Sequence, residues 1–289
     1  MLRHRWNPSR ARCVLHCVNV SSYVLGSDVS EIERLKTQAE VLAQPTLTLL
    51  QRAGVAPGAR VLDLGAGPGD VSFQVAEIVG PGGSVVGVER DPAQIAVAEH
   101  RRKERGLTNV EFRLGDVRTF SDDELYDAVV CRLLLMHLPD AADVLRHQLQ
   151  HLHPDGTLVA IDYDMGGARA LPEVPTYSRL LNWISAGFQF AQADPFVGMR
   201  LPVILGQAGL TNVETLGLQA YWPPGDRQPT QYAAAVARTL QDAMVASGAV
   251  TTAELDIDTL EQRLWEAAES VNAVLCLPTL VGSWGRLPR

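Results

Sequence analysis

Apolar and polar positions along this chain follow two periods in turn. From Ser27 onward Ile32, Leu35, Ala39 and Leu42 recur on one helical face, and Ser30 with Glu33 three residues later has the spacing of a capping box. The pattern predicts an amphipathic helix packed on something, ended by Gly54, Pro57 and Gly58. Short Val- and Leu-rich runs then alternate with helical stretches. The runs Arg60–Leu64, Ser84–Val88, Val110–Leu114, Tyr126–Cys131 and Thr157–Ile161 have the character of strands in a covered sheet. Between them, Val71, Val75 and Ile78 mark one helix. Asp91-Pro92 supplies the N-cap and first-turn proline of a second, which Gly106 closes. Pro139-Asp140 with Asp143 opens a third, with Leu145, Leu149 and Leu152 on its apolar face. This alternation predicts an α/β fold: a parallel sheet with helices on both faces, joined by right-handed crossovers.

Beyond the fifth strand the spacing changes. Residues 165–210 read as helical, with Tyr177, Trp183, Phe188, Phe190 and Phe196 forming an aromatic-rich surface and Arg200-Leu-Pro202 opening a helix that ends at Gly209. Val213–Leu218 is a sixth strand. A second helical insertion runs from about Gln228 to Ala273, with Thr251 and Glu254 as a capping box, and Leu275–Val281 is the last strand. The organisation expected is a weakly ordered extension over 1–20, a helical cap over 21–53, a ligand-binding core over 54–164, and the rest of the sheet with helical lid insertions over 165–289.

Composition narrows the function classes. The 289 residues are 46% hydrophobic, and no apolar run reaches the length of a membrane span. Counting 25 Lys and Arg against 33 Asp and Glu gives a net charge of −8, with no basic stripe beyond Arg101-Arg102-Lys103. That argues against nucleic acid as a partner and leaves a small-molecule substrate, with room for a homo-oligomer. Cysteines at 13, 17, 131 and 276 are too few and scattered for a disulfide framework, so a reducing cytoplasm is the default. Cys13, His16 and Cys17 lack a second ligand pair, and no metal is expected.

The chemistry centres on Val61-Leu62-Asp63-Leu64-Gly65-Ala66-Gly67-Pro68-Gly69-Asp70. Strand, glycine turn and helix in succession make a ligand site, because backbone without Cβ lets a ligand lie directly on it. The Gly-x-Gly-x-Gly spacing is one residue shorter than the dinucleotide fingerprint. Asp63 beside the turn better suits a ligand bearing an ammonium group than a pyrophosphate. Asp63, Gly65, Glu89, Asp116, Arg132 and Asp162 all fall at or just past strand ends, where ligands lie in such sheets. Taken singly, Asp63 would serve as well to fix the loop, Asp116 to cap the next turn and Arg132 to pair with a surface carboxylate.

The ordered series Leu62–Gly69, Val86-Gly87-Val88-Glu89, Gly115-Asp116-Val117 and Asp127–Arg132 resembles the class I S-adenosylmethionine-dependent methyltransferases over about residues 55–165. The resemblance implies a Rossmann-like seven-stranded sheet, mostly parallel, whose last strand runs antiparallel between strands five and six. It implies S-adenosylmethionine as cofactor, with Gly65, Ala66, Gly67 and Gly69 against its methionine portion. Glu89, followed by Arg90, would take the ribose hydroxyls, Asp116 and Val117 the adenine, and Arg132 would pass beneath the methionine part. A carboxylate accepts from two hydroxyls and repels a 2′-phosphate, which agrees with the role for Glu89.

Tyr23-Val-Leu-Gly26, Glu33-Arg34-Leu35, Gln38 and Trp284-Gly285-Arg286 look like the small-molecule branch of that family, which includes natural-product and quinone-biosynthesis methyltransferases. Tyr23 and Gln38 would then fold over the cofactor. Methyl transfer needs mainly alignment and exclusion of water, and a base where the accepting atom must lose a proton. His137, Asp162 and Asp164 are the candidates, whereas His147 and His151 read as solvated imidazoles. Cys131-Arg132-Leu133-Leu134 stands where base-amino methylases carry an Asn-Pro-Pro-Tyr type motif, and the cysteine set of arsenic methylation is missing. The expectation is an enzyme that methylates a small, partly apolar molecule at oxygen, nitrogen or carbon. The rivals are a sulfonium-assisted cyclase on the same fold and a non-catalytic binding partner.

Overall fold

The apolar runs become the central strands of the protein in a computed structural model that describes the backbone of residues 29–288 and the side chains of residues 41–288. The helix α1 (Val29–Arg52) leads into β1 (Arg60–Leu64), α2 (Asp70–Val79), β2 (Ser84–Glu89), α3 (Pro92–Glu104), β3 (Val110–Leu114) and β4 (Tyr126–Arg132). Next come α4 (Ala141–Gln148) and β5 (Leu152–Asp164), then β6 (Arg169–Leu171), α5 (Pro175–Phe190), α6 (Val197–Ala208), β7 (Thr211–Leu218) and β8 (Tyr221–Trp222). The chain continues through α7 (Gln228–Ala246), α8 (Thr252–Leu255), α9 (Leu260–Ser270), β9 (Val274–Cys276) and β10 (Thr279–Arg286). No described helix is long and apolar enough to cross a membrane.

The main sheet has seven strands in the order β3-β2-β1-β4-β5-β10-β7. β1 to β5 pair in parallel, and β10 is antiparallel to both β5 and β7, as the family resemblance implies. Strand order reverses between β1 and β4, which opens a crevice at their carboxyl ends. Alternate residues of each strand serve opposite faces. Leu62, Leu64, Val129, Cys131 and Leu158 pack beneath α4 and α6, while Val61, Val85, Ala128, Val130 and Ile161 pack on the other side with Leu49 of α1 and Phe73 and Val75 of α2. Phe73 meets Phe112 edge to face at 5.8 Å, a pairing worth about 0.5–1.5 kcal/mol beyond its buried area.

The helices after β5 have a core of their own, in which Leu180 and Ile184 of α5, Ala237, Leu240 and Met244 of α7, and Leu264 of α9 are buried together. Over 165–210 the chain is less helical than its spacing predicts. A 3-10 turn (Met165–Gly167) and β6 precede α5, and β6 pairs with β9 and β9 with β8 in a three-stranded sheet. The last strand of the main sheet begins at Thr279 rather than Leu275, because Val274–Cys276 belongs to that small sheet. Ser30 lies inside α1 rather than ahead of its first residue. The Thr251–Glu254 capping box is formed in both directions. The expected extension over 1–20, with Cys13 and Cys17, lies outside the described residues.

Candidate functional site

The turn after β1 meets a cavity while keeping its own donors occupied. Gly65, Gly67 and Gly69 take φ of +70°, +53° and +90°, the left-handed region that strains other residues. The Gly65 and Ala66 amides donate to the Val88 carbonyl at 2.9 and 3.0 Å, and the Gly69 amide to the Ala66 carbonyl at 3.0 Å. The Gly67 amide donates to Glu89 Oε2 at 3.0 Å, and Pro68 has none to give. Every N–H from Gly65 to Gly69 is therefore committed within the protein. Phosphate cradles work by aiming such donors outward, so this turn suits a neutral or cationic group and not a pyrophosphate. Arg101 of α3 braces its outer side, donating to the Pro68 carbonyl at 2.7 Å and to Asp70 at 2.6 Å.

Glu89 stands at the end of β2. Its Oε1 accepts from the Arg90 and Asp91 amides at 2.8 and 3.0 Å, and with the Gly67 bond the carboxylate is held by three N–H groups at the cavity wall. About four lone-pair sites are present in a carboxylate, so these bonds leave capacity for a hydroxyl donor. Asp116 caps its own turn by accepting from the Arg118 amide at 2.9 Å, and it also lines the cavity. Arg132 closes β4 and donates to Thr46 Oγ1 of α1 at 3.1 Å. Burial pulls its pKa below the usual arginine value, opposed by the nearby Asp70, Tyr163, Asp63 and Tyr232. Leu133 follows with φ of +53°, an uncommon conformation for a leucine, where the chain leaves the sheet along the cavity wall.

One cavity thus brings together Gly65, Ala66, Gly67, Glu89, Arg90, Asp116, Val117, Arg132 and His137 from the residues the sequence singles out. Other residues from that set lie elsewhere. Gly69 faces the core, where an added Cβ would stand 2.8 Å from both Phe112 and Phe73. Asp63 is 1% exposed behind the turn and accepts from Ser72 Oγ at 2.6 Å. Burial pushes its carboxyl up to about 7, against the lowering influence of Ser72 and Arg132.

Asp162, also 1% exposed, accepts from the Met136 and Tyr163 amides at 3.1 and 3.0 Å, and burial again pushes the carboxyl up to about 7. It holds the 3-10 turn Leu135–His137 in place from behind the wall. Asp164 accepts from the Gly166 amide at 2.9 Å. His151 is buried rather than solvated, accepting from the Asp122 amide at 3.0 Å, and burial lowers its pKa. Tyr23 and the side chain of Gln38 lie outside the described residues.

The wall also holds residues that sequence reasoning does not find. Tyr163 is one, although strand alternation carries a usable signal: if Asp162 faces behind the sheet edge, Tyr163 faces the other way. Tyr232 comes from α7, nearly seventy residues later, and its hydroxyl lies 2.9 Å from that of Tyr163. No local pattern joins the two. Tyr177 and Phe188 bring the aromatic character of α5 to the cavity, whereas Phe190 is exposed.

Residues 56–193 match the sequence profile of a family described as "Methyltransferase domain". The chain is 33% identical over 132 residues to the ubiquinone/menaquinone biosynthesis C-methyltransferase of Ectopseudomonas mendocina, covering 45% of this chain and 52% of that protein. It is 35% identical over 111 residues to the arsenite methyltransferase of Halobacterium salinarum, covering 38% of this chain and 28% of that one. The chain therefore spans about half the length of the quinone-type relative it matches. Among solved structures, Haemonchus contortus phosphoethanolamine N-methyltransferase 2, in complex with phosphomonomethylethanolamine and S-adenosylhomocysteine, superposes with a TM-score of 0.53 at 17% identity. That superposition covers 85% of this chain and 53% of the other, and shows a shared fold. Over residues 56–193 this protein is accordingly similar to the methyltransferase domain family, on the fold of solved methyltransferases.

Proposed function

We propose that this chain transfers a methyl group from S-adenosylmethionine to a small, partly apolar molecule. The observation that carries this reading is the pairing of a glycine turn that offers no outward N–H with carboxylates from two neighbouring strand ends, Glu89 and Asp116, on the wall of the same cavity. That combination suits a cofactor bearing a cationic sulfonium, an ammonium group and a hydroxylated ribose, and repels a phosphorylated one.

Bound there, the cofactor supplies a methyl group on a positively charged sulfur, which leaves as a neutral thioether when an acceptor atom takes the methyl. The chain's own residues position and enclose. Gly65, Ala66 and Gly67 lie against the methionine portion, Glu89 holds the ribose hydroxyls, and Asp116 with Val117 borders the adenine. Arg90 flanks the ribose side, and Arg132 braces the cavity floor against α1 through Thr46. Gly69 shapes the turn from its core side, and Asp63 anchors it through Ser72. His137 is the group placed to take a proton from the acceptor atom, and Asp162 positions the turn that carries it. Residues 54–164 form the cofactor-binding core, and the helices after residue 165 form the lid over the acceptor.

Calorimetric titration tests the reading. S-adenosylmethionine and S-adenosylhomocysteine are both expected to bind at micromolar levels, and failure of both to bind would reject it. Methyl-labelled cofactor then distinguishes transfer, which moves label into product, from a cyclisation that leaves it behind.

A further inference from the structure

The charges on the cavity wall are segregated. Those from Asp70 to Arg132 all come from the last residues of β2 and β4 or from the segments that follow β1, β2 and β3. Past Arg132 the described wall contains no Asp, Glu, Lys or Arg. It is built from leucines, Met136 and His137 of the loop after β4, Leu181, Ile184 and Phe188 of α5, and Ala233, Val236 and Thr239 of α7. A carboxylate, phosphate or ammonium placed there would lose its hydration with no carboxylate, guanidinium or ammonium of the described wall in return. Arg132, on the same wall, is itself buried and donates to Thr46 Oγ1.

Within this apolar half the Tyr163 and Tyr232 hydroxyls meet at 2.9 Å, one from the edge of the sheet and one from the lid. Both residues line the same cavity as Arg132. A hydroxyl donates one hydrogen bond and accepts two, which matches the edge of a neutral oxygen or nitrogen group. Neither described cysteine, Cys131 or Cys276, is on the wall, so these residues offer no thiolate to a metalloid.

Resting on the methyl-transfer reading above, we propose that the acceptor binds as an uncharged, largely apolar molecule lying between α5 and α7, with its hydrogen-bonding oxygen or nitrogen at the Tyr163–Tyr232 hydroxyl pair. Phosphorylated amines and arsenite are thereby disfavoured, although proteins named for such acceptors share the fold or part of the sequence.

Three probes with one apolar body test this on the full chain: 2-naphthol, 2-naphthoate and 2-naphthylmethylammonium. Each is titrated calorimetrically into protein saturated with S-adenosylhomocysteine, saturation being established beforehand in a separate titration. Naphthol is expected to bind at least about tenfold more tightly than either ion, and Tyr232→Phe to weaken naphthol by about five- to twentyfold with the fold checked by thermal melting. Val236→Lys, which puts a cation in the apolar half, is expected to reverse the preference toward naphthoate. Either ion binding as well as naphthol, no binding of naphthol, or naphthol affinity unmoved by Tyr232→Phe overturns the proposal. Failure to saturate with S-adenosylhomocysteine instead overturns the reading beneath it, and the two failures are distinct.

Discussion

Glu89 is a carboxylate that ties two backbone segments together and keeps acceptor capacity at the cavity wall. Its two oxygens collect the amides of Gly67, Arg90 and Asp91, so it fastens the glycine turn of β1 to the end of β2 before any ligand arrives. Replacing it with Ala leaves those amides without their acceptor and removes the partner proposed for the ribose hydroxyls. Glu89→Ala is expected to weaken S-adenosylhomocysteine binding by about 1–3 kcal/mol, and Glu89→Gln, which keeps one acceptor oxygen, to recover part of that. Calorimetry on the two variants decides, and unchanged affinity in Glu89→Ala rejects the ribose role. Asp63 stands in contrast. The sequence places it beside the turn, as it does Glu89, but strand alternation turns it inward to Ser72. Nothing in a single sequence distinguishes an acid that faces a ligand from one that faces a serine nine residues later.

At the scale of elements, the glycine turn and its neighbouring strand use glycine for different reasons. A Cβ on Gly67 meets nothing within 4 Å and points into open space at the cavity wall. One on Gly87 of β2 would stand 2.7 Å from the Phe112 ring and 2.9 Å from the Ala66 methyl. Gly67→Ala is therefore expected to cost about 1 kcal/mol in fold stability, from its left-handed φ, and to impair cofactor binding more. Gly87→Ala should lose about 1–3 kcal/mol through overpacking. Urea titrations paired with cofactor calorimetry separate the two, and a larger stability loss at Gly67 would contradict this division.

The same scale explains what was readable beforehand. β1 to β4 lie within a residue of the apolar runs because each run is one complete strand bounded by turn residues. β6, β8 and β9, with two or three residues each and Leu171 and Tyr221 exposed, are too short to show a period. The charged half of the cavity was legible because its residues sit at strand ends in fixed order. The apolar half was not, since Tyr163 and Tyr232 meet only through the packing of α7 against the end of β5.

Across the whole molecule, the two buried carboxyls leave a signature in stability against pH. Burial raises Asp162 from 3.8 to about 7 in the folded chain, so its neutral form favours folding. That contribution is complete below about pH 4 and is lost as pH rises through about 7, at up to about 1.4 kcal/mol per pH unit. Asp162→Asn cannot ionise there. The difference in melting temperature, variant minus parent, is expected to rise from pH 4 to 7 and to level off above, and a flat difference would show that Asp162 is not so shifted. Topology has a further consequence. β10 fills the place between β5 and β7 and pairs with both, yet it follows the entire lid in sequence. During synthesis, two strand edges must therefore wait open while the sixty residues between β7 and β10 emerge, which makes this interval one of exposure to misassociation and to chaperone capture.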